Sequence, residues 1–245
     1  MTSAISRFKS TPVGRRAAER PAVTHAWLRA RSLPFFLSHG HVRGRRIVDR
    51  YVAATAAPRL QIGSGPVTLP GWLNSDLVGG DLYLDMARRL PLPDGCMQYV
   101  FGEHVIEHVP EDVGRRALAE MYRVLRPGGV VRLTTPDLRK IIALYEDRNP
   151  EMRLEQYIPF LDAISGRTHE RPCQMFNDFM RLWGHAWVYD EDDLAAKLRE
   201  TGFVDVARRE FGSSPHAELN GLESHGPPWQ NTVEAMTLEA TKPAA

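Results

Sequence analysis

Short apolar runs bounded by glycine and proline alternate with longer amphipathic segments from residue 59 onward. This alternation is typical of β-α-β units, in which successive strands lie parallel. The chain therefore predicts an α/β fold with a doubly wound, mostly parallel sheet. The seven expected strands are residues 59–62, 72–75, 82–84, 99–102, 130–134, 204–210 and 233–240.

Two amphipathic segments carry clear helix signals. Residues 113–125 have apolar side chains at near-helical spacing and run into Arg-Pro-Gly-Gly at 126–129, which stops a helix. Residues 190–201 begin with an acidic run that suits the positive end of a helix dipole, and Gly202 suits the C-cap. Both segments are therefore predicted to be helices that separate strands.

An aromatic-rich stretch predicts a helical insertion at 138–184, on the substrate side of the sheet. The helical spacing of Phe176, Phe179 and Trp183 is more typical of a plain core, although these residues could also form a wall over a ligand. A Gly-, Pro- and Ser-rich segment around His225 could fold over the mouth of a pocket. Substrate specificity is expected to reside in the insertion.

Composition bounds the class of protein. The chain has 245 residues, 43% hydrophobic and 25% charged, which is the balance of one globular domain. The longest apolar run near the start, 33–37, falls far short of the ~20 residues that span a bilayer, and no secretory signal is recognisable. Cys96 and Cys173 stand far apart, which predicts free thiols and a cytoplasmic location.

The net charge of +1 hides an uneven distribution. Residues 1–57 hold eleven Lys and Arg against one Glu and one Asp, so they are predicted to form a basic N-terminal extension ahead of a domain at 58–245. Such a segment could contact nucleic acid, an anionic membrane surface, an acidic substrate or the acidic remainder of the chain. Docking on the chain itself is the favoured interpretation.

The first candidate site follows the first predicted strand, at Gly63-Ser64-Gly65. Glycines after a strand let the backbone turn sharply and approach a ligand without a Cβ in the way. An ordinary glycine-rich turn is the alternative interpretation. A dinucleotide site would have a third glycine where Thr68 stands, so pyrophosphate binding is disfavoured.

Two carboxylates follow the next two predicted strands, Asp76 and Asp85. A carboxylate at the end of the second parallel strand can accept both hydroxyl hydrogens of a ribose. A second carboxylate one strand further can accept from the amino group of an adenine. The alternative is that each aspartate merely starts a turn.

Taken in order, these features resemble one family. The glycine turn, the two carboxylates, the sequence EHVIEHV at 103–109 and the sequence LRPGG at 125–129 are similar to the class I methyltransferases that use S-adenosylmethionine, and most of all to the bacterial type 11-like group. The resemblance is strong over 59–136 and weak over 185–240. It implies a Rossmann-like sheet, S-adenosylmethionine as cofactor and methyl transfer as activity.

The resemblance also implies roles for individual residues. The glycine turn would border the methionine part of the cofactor, Asp76 the ribose and Asp85 the adenine, while the end of the fourth strand would face the sulfonium and the substrate. The residues implied in cofactor binding are Gly63, Ser64, Gly65, Asp76, Asp85, Met86, Glu103 and His104. Only ten residues separate Gly65 from Asp76, too few for the family's usual helix, so a turn is expected there.

The favoured function is methyl transfer to an oxygen or nitrogen of a small-molecule acceptor, such as a secondary metabolite, a sugar or a lipid-linked precursor. A hydroxyl acceptor benefits from a base, and the candidates are His104, then His108, then His185. One alternative is an RNA-binding or RNA-methylating protein, although nucleic acid is disfavoured because no aromatic and basic stacking motif is present. Another is a cofactor-binding partner without turnover.

The segment 104–108 also matches H-x-x-E-H, the inverted zinc-peptidase pattern. On a helix, His104 and His108 would share one face and could bind zinc, with Glu107 activating a water. This interpretation is disfavoured because the motif directly follows a buried strand, and no metal is predicted. For His108, a hydrogen bond to the backbone is an equally good explanation.

Overall fold

The computed structural model describes residue 30 and residues 32–244, without the side chains of residues 41 and 42. Most of the predicted basic extension, residues 1–29, therefore lies outside the described residues. Residues 32–39 are helical, and helix α1 (His41–Ala54) follows. Val48 of α1 is buried in the main core, so this part of the extension packs on the chain itself.

Seven strands form one sheet in the order β3-β2-β1-β4-β5-β7-β6. The first five strands in the chain run parallel to one another, and β7 is antiparallel to both β5 and β6. The predicted mostly parallel seven-stranded sheet is therefore confirmed. The strands are β1 (Arg59–Ile62), β2 (Leu73–Asp76), β3 (Leu82–Tyr83), β4 (Met97–Glu103), β5 (Leu125–Pro136), β6 (Val204–Arg209) and β7 (Ala235–Thr241).

Six further helices follow α1, and three of them occupy the predicted insertion. Helix α6 begins after the N-cap Asp190 and ends at Gly202, whose φ of 106° is the left-handed value expected of a C-cap glycine. Val233, predicted to begin the last strand, lies instead in α7. The helices are α2 (Glu111–Val124), α3 (Leu138–Tyr145), α4 (Leu154–Ser165), α5 (Pro172–Arg181), α6 (Glu191–Thr201) and α7 (Pro228–Glu234). None of the helices in the described residues is long and apolar enough to cross a membrane.

The two faces of the sheet differ in polarity. On one face, alternate residues of the strands are apolar and pack against α1, α2 and α6 in the main core. Leu60 of β1, Val100 of β4 and Leu133 of β5 are examples, each fully buried. On the other face, β5 carries Arg132 and Thr134, also buried. A buried charge on a sheet needs partners, and most of these come from outside the strands.

The loop between β6 and α7 supplies those partners. Arg132 donates from Nε to Glu223 at 2.6 Å and from Nη1 to Glu239 of β7 at 2.7 Å, with a further bond to the Ser213 carbonyl at 2.9 Å. Apolar residues of the same loop, among them Leu219, join a small core on this face. Because no helix connects β1 to β2, as the short spacing predicted, this loop takes over part of the covering of the sheet.

We expect Arg132→Met to lower the free energy of unfolding by about 3–5 kcal/mol, because removing one partner of a buried ion pair leaves the other charge uncompensated. Glu223, whose side chain is 0% exposed, would lose its cation. Urea denaturation measures the change. Arg116→Met, in an exposed pair with Asp112, is the matched control and should change stability by less than about 1 kcal/mol. Equal stabilities of the two variants would contradict the prediction.

Candidate active site

The glycine turn after β1 has the backbone shape that the sequence predicted. Gly63 has a φ of 69°, and a Cβ at this position would lie 2.6 Å from Val105 Cγ2, so only glycine fits. Gly65 has a φ of 53°, and a Cβ there would meet nothing within 4 Å. Gly65 therefore borders open space, while Gly63 packs tightly against the segment that follows β4.

Asp76 joins this turn to the end of β2. Its Oδ2 atom accepts from the Gly65 amide at 2.9 Å, and its Oδ1 atom accepts from the Val78 amide at 3.0 Å. Asp85 is buried, accepts from the Ala87 amide at 3.0 Å and lies 3.3 Å from Arg88 Nε. Both carboxylates thus start turns, as the alternative interpretation held, and each carboxylate keeps lone pairs with which to accept from a ligand.

The donor and acceptor groups at this edge fit an adenosyl ligand. The Ser64 hydroxyl is buried and has no hydrogen-bond partner among the described residues. Its neighbour Gly65 faces open space, and the Asp76 carboxylate lies beside it. A polar ligand seated against Gly65 would meet a carboxylate suited to ribose hydroxyls. The cofactor roles of Gly63, Met86 and the other residues implied by the resemblance stay predictions.

The segment 103–109 does not form the helix on which the H-x-x-E-H pattern would bind zinc. Strand β4 continues to Glu103, and the His104 amide donates to the Thr134 carbonyl at 2.8 Å, which extends the ladder with β5. His104 has a φ of 49°, and only a short 3-10 turn, Ile106–His108, precedes α2. His104 and His108 therefore do not share a helix face, and the inverted zinc-peptidase geometry is absent.

Instead, the predicted histidines surround the carboxylate of Glu107, which is fully buried. Glu107 Oε1 lies 3.2 Å from His104 Nδ1 and 4.0 Å from His108 Nε2, and Oε2 accepts from Thr135 Oγ1 at 3.1 Å. The centroids of the His185 and His108 rings lie 5.3 Å apart. Burial acts to raise the pKa of Glu107, but the adjacent imidazoles outweigh it and lower the value to about 2. The structure thus brings all three histidines to one buried negative charge.

The histidines in this cluster differ in protonation. Burial acts to lower the pKa of His104, but Glu107 and a contact with Asn231 outweigh it and raise the value to about 9. Burial lowers the pKa of His185 to about 3 and that of His225 to about 4. At neutral pH His104 therefore holds its proton, while His185 and His225 are neutral.

Residues 224–231 close over His104. The carboxylate of Glu103 accepts from the Ser224 and His225 amides at 2.9–3.0 Å, and burial raises the pKa of this carboxyl. The centroids of the His225 and His104 rings lie 4.4 Å apart. Asn231 donates to the His225 carbonyl and contacts His104 Nε2, each at 3.1 Å. Asn231 was not identified from the sequence, because no motif or periodicity singled it out.

The aromatic residues of the insertion form a core of their own, which borders the site where Phe179 and Trp183 contact His185. Tyr157 and Phe179 are buried, and Phe160 and Phe176 pack against them. The Tyr157 hydroxyl donates to Glu234, which is also buried. The core interpretation of this segment is therefore the one that the packing supports.

A cavity of about 740 Å³ opens at the carboxyl ends of β5 and β6. It does not include the glycine turn, but it reaches Asn231 and so approaches His104 from the side of α3. Its lining is charged and polar and includes Asp137, Lys140 and Arg208. Burial lowers the pKa of Lys140, whose ammonium donates to two backbone carbonyls.

Residues 60–133 match a family model described as a methyltransferase domain, of type 11. The matched part contains the glycine turn, both carboxylates and the segment from His104 to His108, and it makes up less than a third of the chain.

Two curated relatives are named demethylmenaquinone methyltransferase. The protein from Geobacillus sp. (strain WCH70) is 28% identical over 158 residues, which cover 62% of this chain and 58% of that one. The protein from Anoxybacillus flavithermus is 31% identical over 150 residues, which cover 60% and 56%. The chain thus spans a little over half the length of the curated relatives it matches.

Solved structures are similar at a greater distance. Phosphoethanolamine N-methyltransferase 2 of Haemonchus contortus, in complex with S-adenosyl-L-methionine, is 14% identical with a TM-score of 0.47, over 98% of this chain and 59% of that chain. A SAM-dependent methyltransferase from Archaeoglobus fulgidus is 14% identical with a TM-score of 0.44, over 81% and 92%. The order of the strands defines the fold.

We expect Glu103→Ala to release the segment over His104, because two amides lose a charged acceptor worth about 1.5–3 kcal/mol per bond. Hydrogen exchange at Ser224 and His225, followed by mass spectrometry, should accelerate at least about tenfold. Glu218→Ala is the control, since Glu218 lies in the same loop and contacts Arg59, at 3.8 Å, and Tyr99, both outside residues 224–231. Unchanged exchange in the Glu103 variant would show that other contacts hold this segment.

Proposed function

Because the chain belongs to the class I S-adenosylmethionine-dependent methyltransferases, we propose that it transfers a methyl group to an oxygen or nitrogen atom of a small-molecule acceptor. The observation that carries this proposal is the 2.9 Å hydrogen bond from the Gly65 amide to Asp76. It unites the glycine turn and the first carboxylate into one binding edge. The carboxyl ends of parallel strands are where such sheets bind ligands.

The polar character of the site supports a heteroatom acceptor. Near the end of β4, His104, Glu107 and His108 offer charged and hydrogen-bonding groups rather than an apolar wall. The cavity beside Asn231 is also lined by polar and charged residues. An acceptor with hydroxyl, amino or carboxyl groups would be recognised there, as a sugar, a secondary metabolite or a lipid-linked precursor would be.

The mechanism requires positioning more than covalent chemistry. When bound, S-adenosylmethionine supplies an electrophilic methyl carbon on its sulfonium for an in-line displacement. Asp76 and Asp85 would hold the ribose and the adenine, and the glycine turn would let the ligand lie close to the backbone. The segment held by Glu103 would exclude water from the reacting atoms.

The protonation states change the order of the candidate bases. His104 holds its proton at neutral pH and both of its ring nitrogens have partners, so it would not deprotonate the acceptor. His185 is neutral, but a pKa of about 3 makes it a weak proton acceptor. For a hydroxyl acceptor the base would be His108, whose side chain is 34% exposed. A carboxylate acceptor would need no base.

Three other functions are alternatives to this proposal. The names of the relatives point to demethylmenaquinone as an alternative acceptor. RNA binding or RNA methylation through the basic extension is a second, and a cofactor-binding partner without turnover is a third. A cytoplasmic location is proposed with the main function, in keeping with the free thiols of Cys96 and Cys173.

We expect Asp76→Ala and Asp85→Ala each to weaken the binding of S-adenosylhomocysteine by about tenfold or more, because each removes a charged acceptor worth about 1.5–3 kcal/mol. Titration calorimetry measures the dissociation constant. Asp112→Ala is the control, since its side chain is 70% exposed on α2. Affinity retained in both site variants would refute the assigned cofactor edge.

The acceptor is tested by release of S-adenosylhomocysteine during incubation with S-adenosylmethionine and a panel of acceptors. We expect turnover with a hydroxyl, amino or carboxyl compound. The panel includes demethylmenaquinone and a structured RNA, and turnover with only one of these would replace the proposed acceptor class. Binding of the cofactor without turnover on any acceptor would favour the non-catalytic alternative.

A further inference from the structure

Glu107, His108 and His185 form a group whose ligand atoms all lie within 4.8 Å of one another. Two of these residues belong to the 3-10 turn after β4, and His185 comes from the segment between α5 and α6. The backbone binds these segments together, because the Ala186 and Trp187 amides donate to the Glu107 carbonyl at 2.7 and 3.1 Å. The three side chains are therefore held side by side by the fold.

Two polar atoms in this group make no hydrogen bond within the part of the chain that the structure describes, although one of them, Glu107 Oε1, has a charged contact with His104 Nδ1 at 3.2 Å. Glu107 Oε1 and His185 Nδ1 are buried, and neither has a hydrogen-bond partner among the described residues. A buried polar atom without a partner costs about 1–3 kcal/mol, and more if it is charged. Both atoms belong to residues whose ligand atoms converge. A single cation between them would satisfy both.

We propose that Glu107, His108 and His185 bind a divalent transition metal, most readily Zn²⁺. Two imidazoles and one carboxylate are a ligand set found in catalytic zinc sites, where a fourth position stays open. Magnesium and calcium prefer oxygen ligands throughout, so they fit this set poorly. The site differs from the H-x-x-E-H pattern in the sequence, because His185 takes the place of His104.

Metal binding would bring the ligand atoms closer together. Ligand atoms around a tetrahedral zinc ion lie about 3.3 Å apart, whereas those of this group lie within 4.8 Å of one another and His108 Nε2 is 4.0 Å from Glu107 Oε1. His108 is partly exposed. Thr135 Oγ1 donates to the other oxygen of Glu107 at 3.1 Å and so orients the ligand. His104 Nδ1, 3.2 Å from Oε1, would share that oxygen with the metal.

A metal here would take the place of His108 in activating the acceptor, because a coordinated imidazole nitrogen cannot accept a proton. The ligand set follows the end of β4, and the open coordination position could take an acceptor hydroxyl, whose pKa the metal would lower. The acceptor class would then be a compound with a hydroxyl that can coordinate. This consequence rests on the proposed function, whereas metal binding itself does not.

The test uses the full chain, made without a histidine tag and stripped of metal with a chelator. Titration with Co²⁺ should give one equivalent bound, with visible absorption bands typical of four or five ligands, and Zn²⁺ should displace it. His108→Gln and His185→Gln should each weaken binding about tenfold to a hundredfold or more. His216→Gln, whose ring lies against Tyr99 outside the group, is the matched control and should bind as the unaltered chain does.

Absence of Co²⁺ binding, or affinity unchanged in both variants, would overturn the proposal. His108→Gln keeps the test decisive if His185→Gln does not fold, because His108 is partly exposed. Calorimetric binding of S-adenosylhomocysteine is measured on the same metal-free chain. Cofactor binding without metal binding would refute only the metal site, and metal binding without cofactor binding would refute only the proposed function.

Discussion

The organisation of the candidate site depends on one fully buried carboxylate, that of Glu107. A lone buried negative charge is costly, so the fold must place positive or polar groups around it. His104, His108 and Thr135 do this directly, and His185 completes the group. The charge in turn keeps the proton on His104. The need to stabilise the buried carboxylate of Glu107 thereby determines the protonation of His104 at the end of β4.

A second constraint comes from the short connection between β1 and β2. With no helix there, one face of the sheet depends on the loop between β6 and α7 for its cover. A loop has fewer apolar side chains to bury than a helix, and this one is fastened by the buried pair of Arg132 and Glu223. The polar residues of β5 thus hold the loop that covers this face of the sheet in place of a helix.

The sequence predicted local features well and long-range ones poorly. Strand β1, the shapes of Gly63 and Gly65, and the C-cap of α6 follow from residues close in the chain, and all were predicted. The helix that the H-x-x-E-H pattern would need at 104–108 does not form, because the ladder with β5 holds the backbone of His104 in place. Periodicity does not report such a contact. The meeting of Asn231 and His185 with His104 and His108 likewise depends on tertiary packing.

The covering loop also links stability to function. Glu223 and Ser224 are consecutive residues, and they are held by two neighbouring strands: Arg132 of β5 binds the first and Glu103 of β4 binds the second. His225, the next residue, is thereby placed 4.4 Å from His104. The buried ion pair that fastens the sheet cover therefore also fixes the position of the segment over the site. Access of an acceptor to His104 and Glu107 is consequently governed by the same contacts that stabilise the polar face of the sheet.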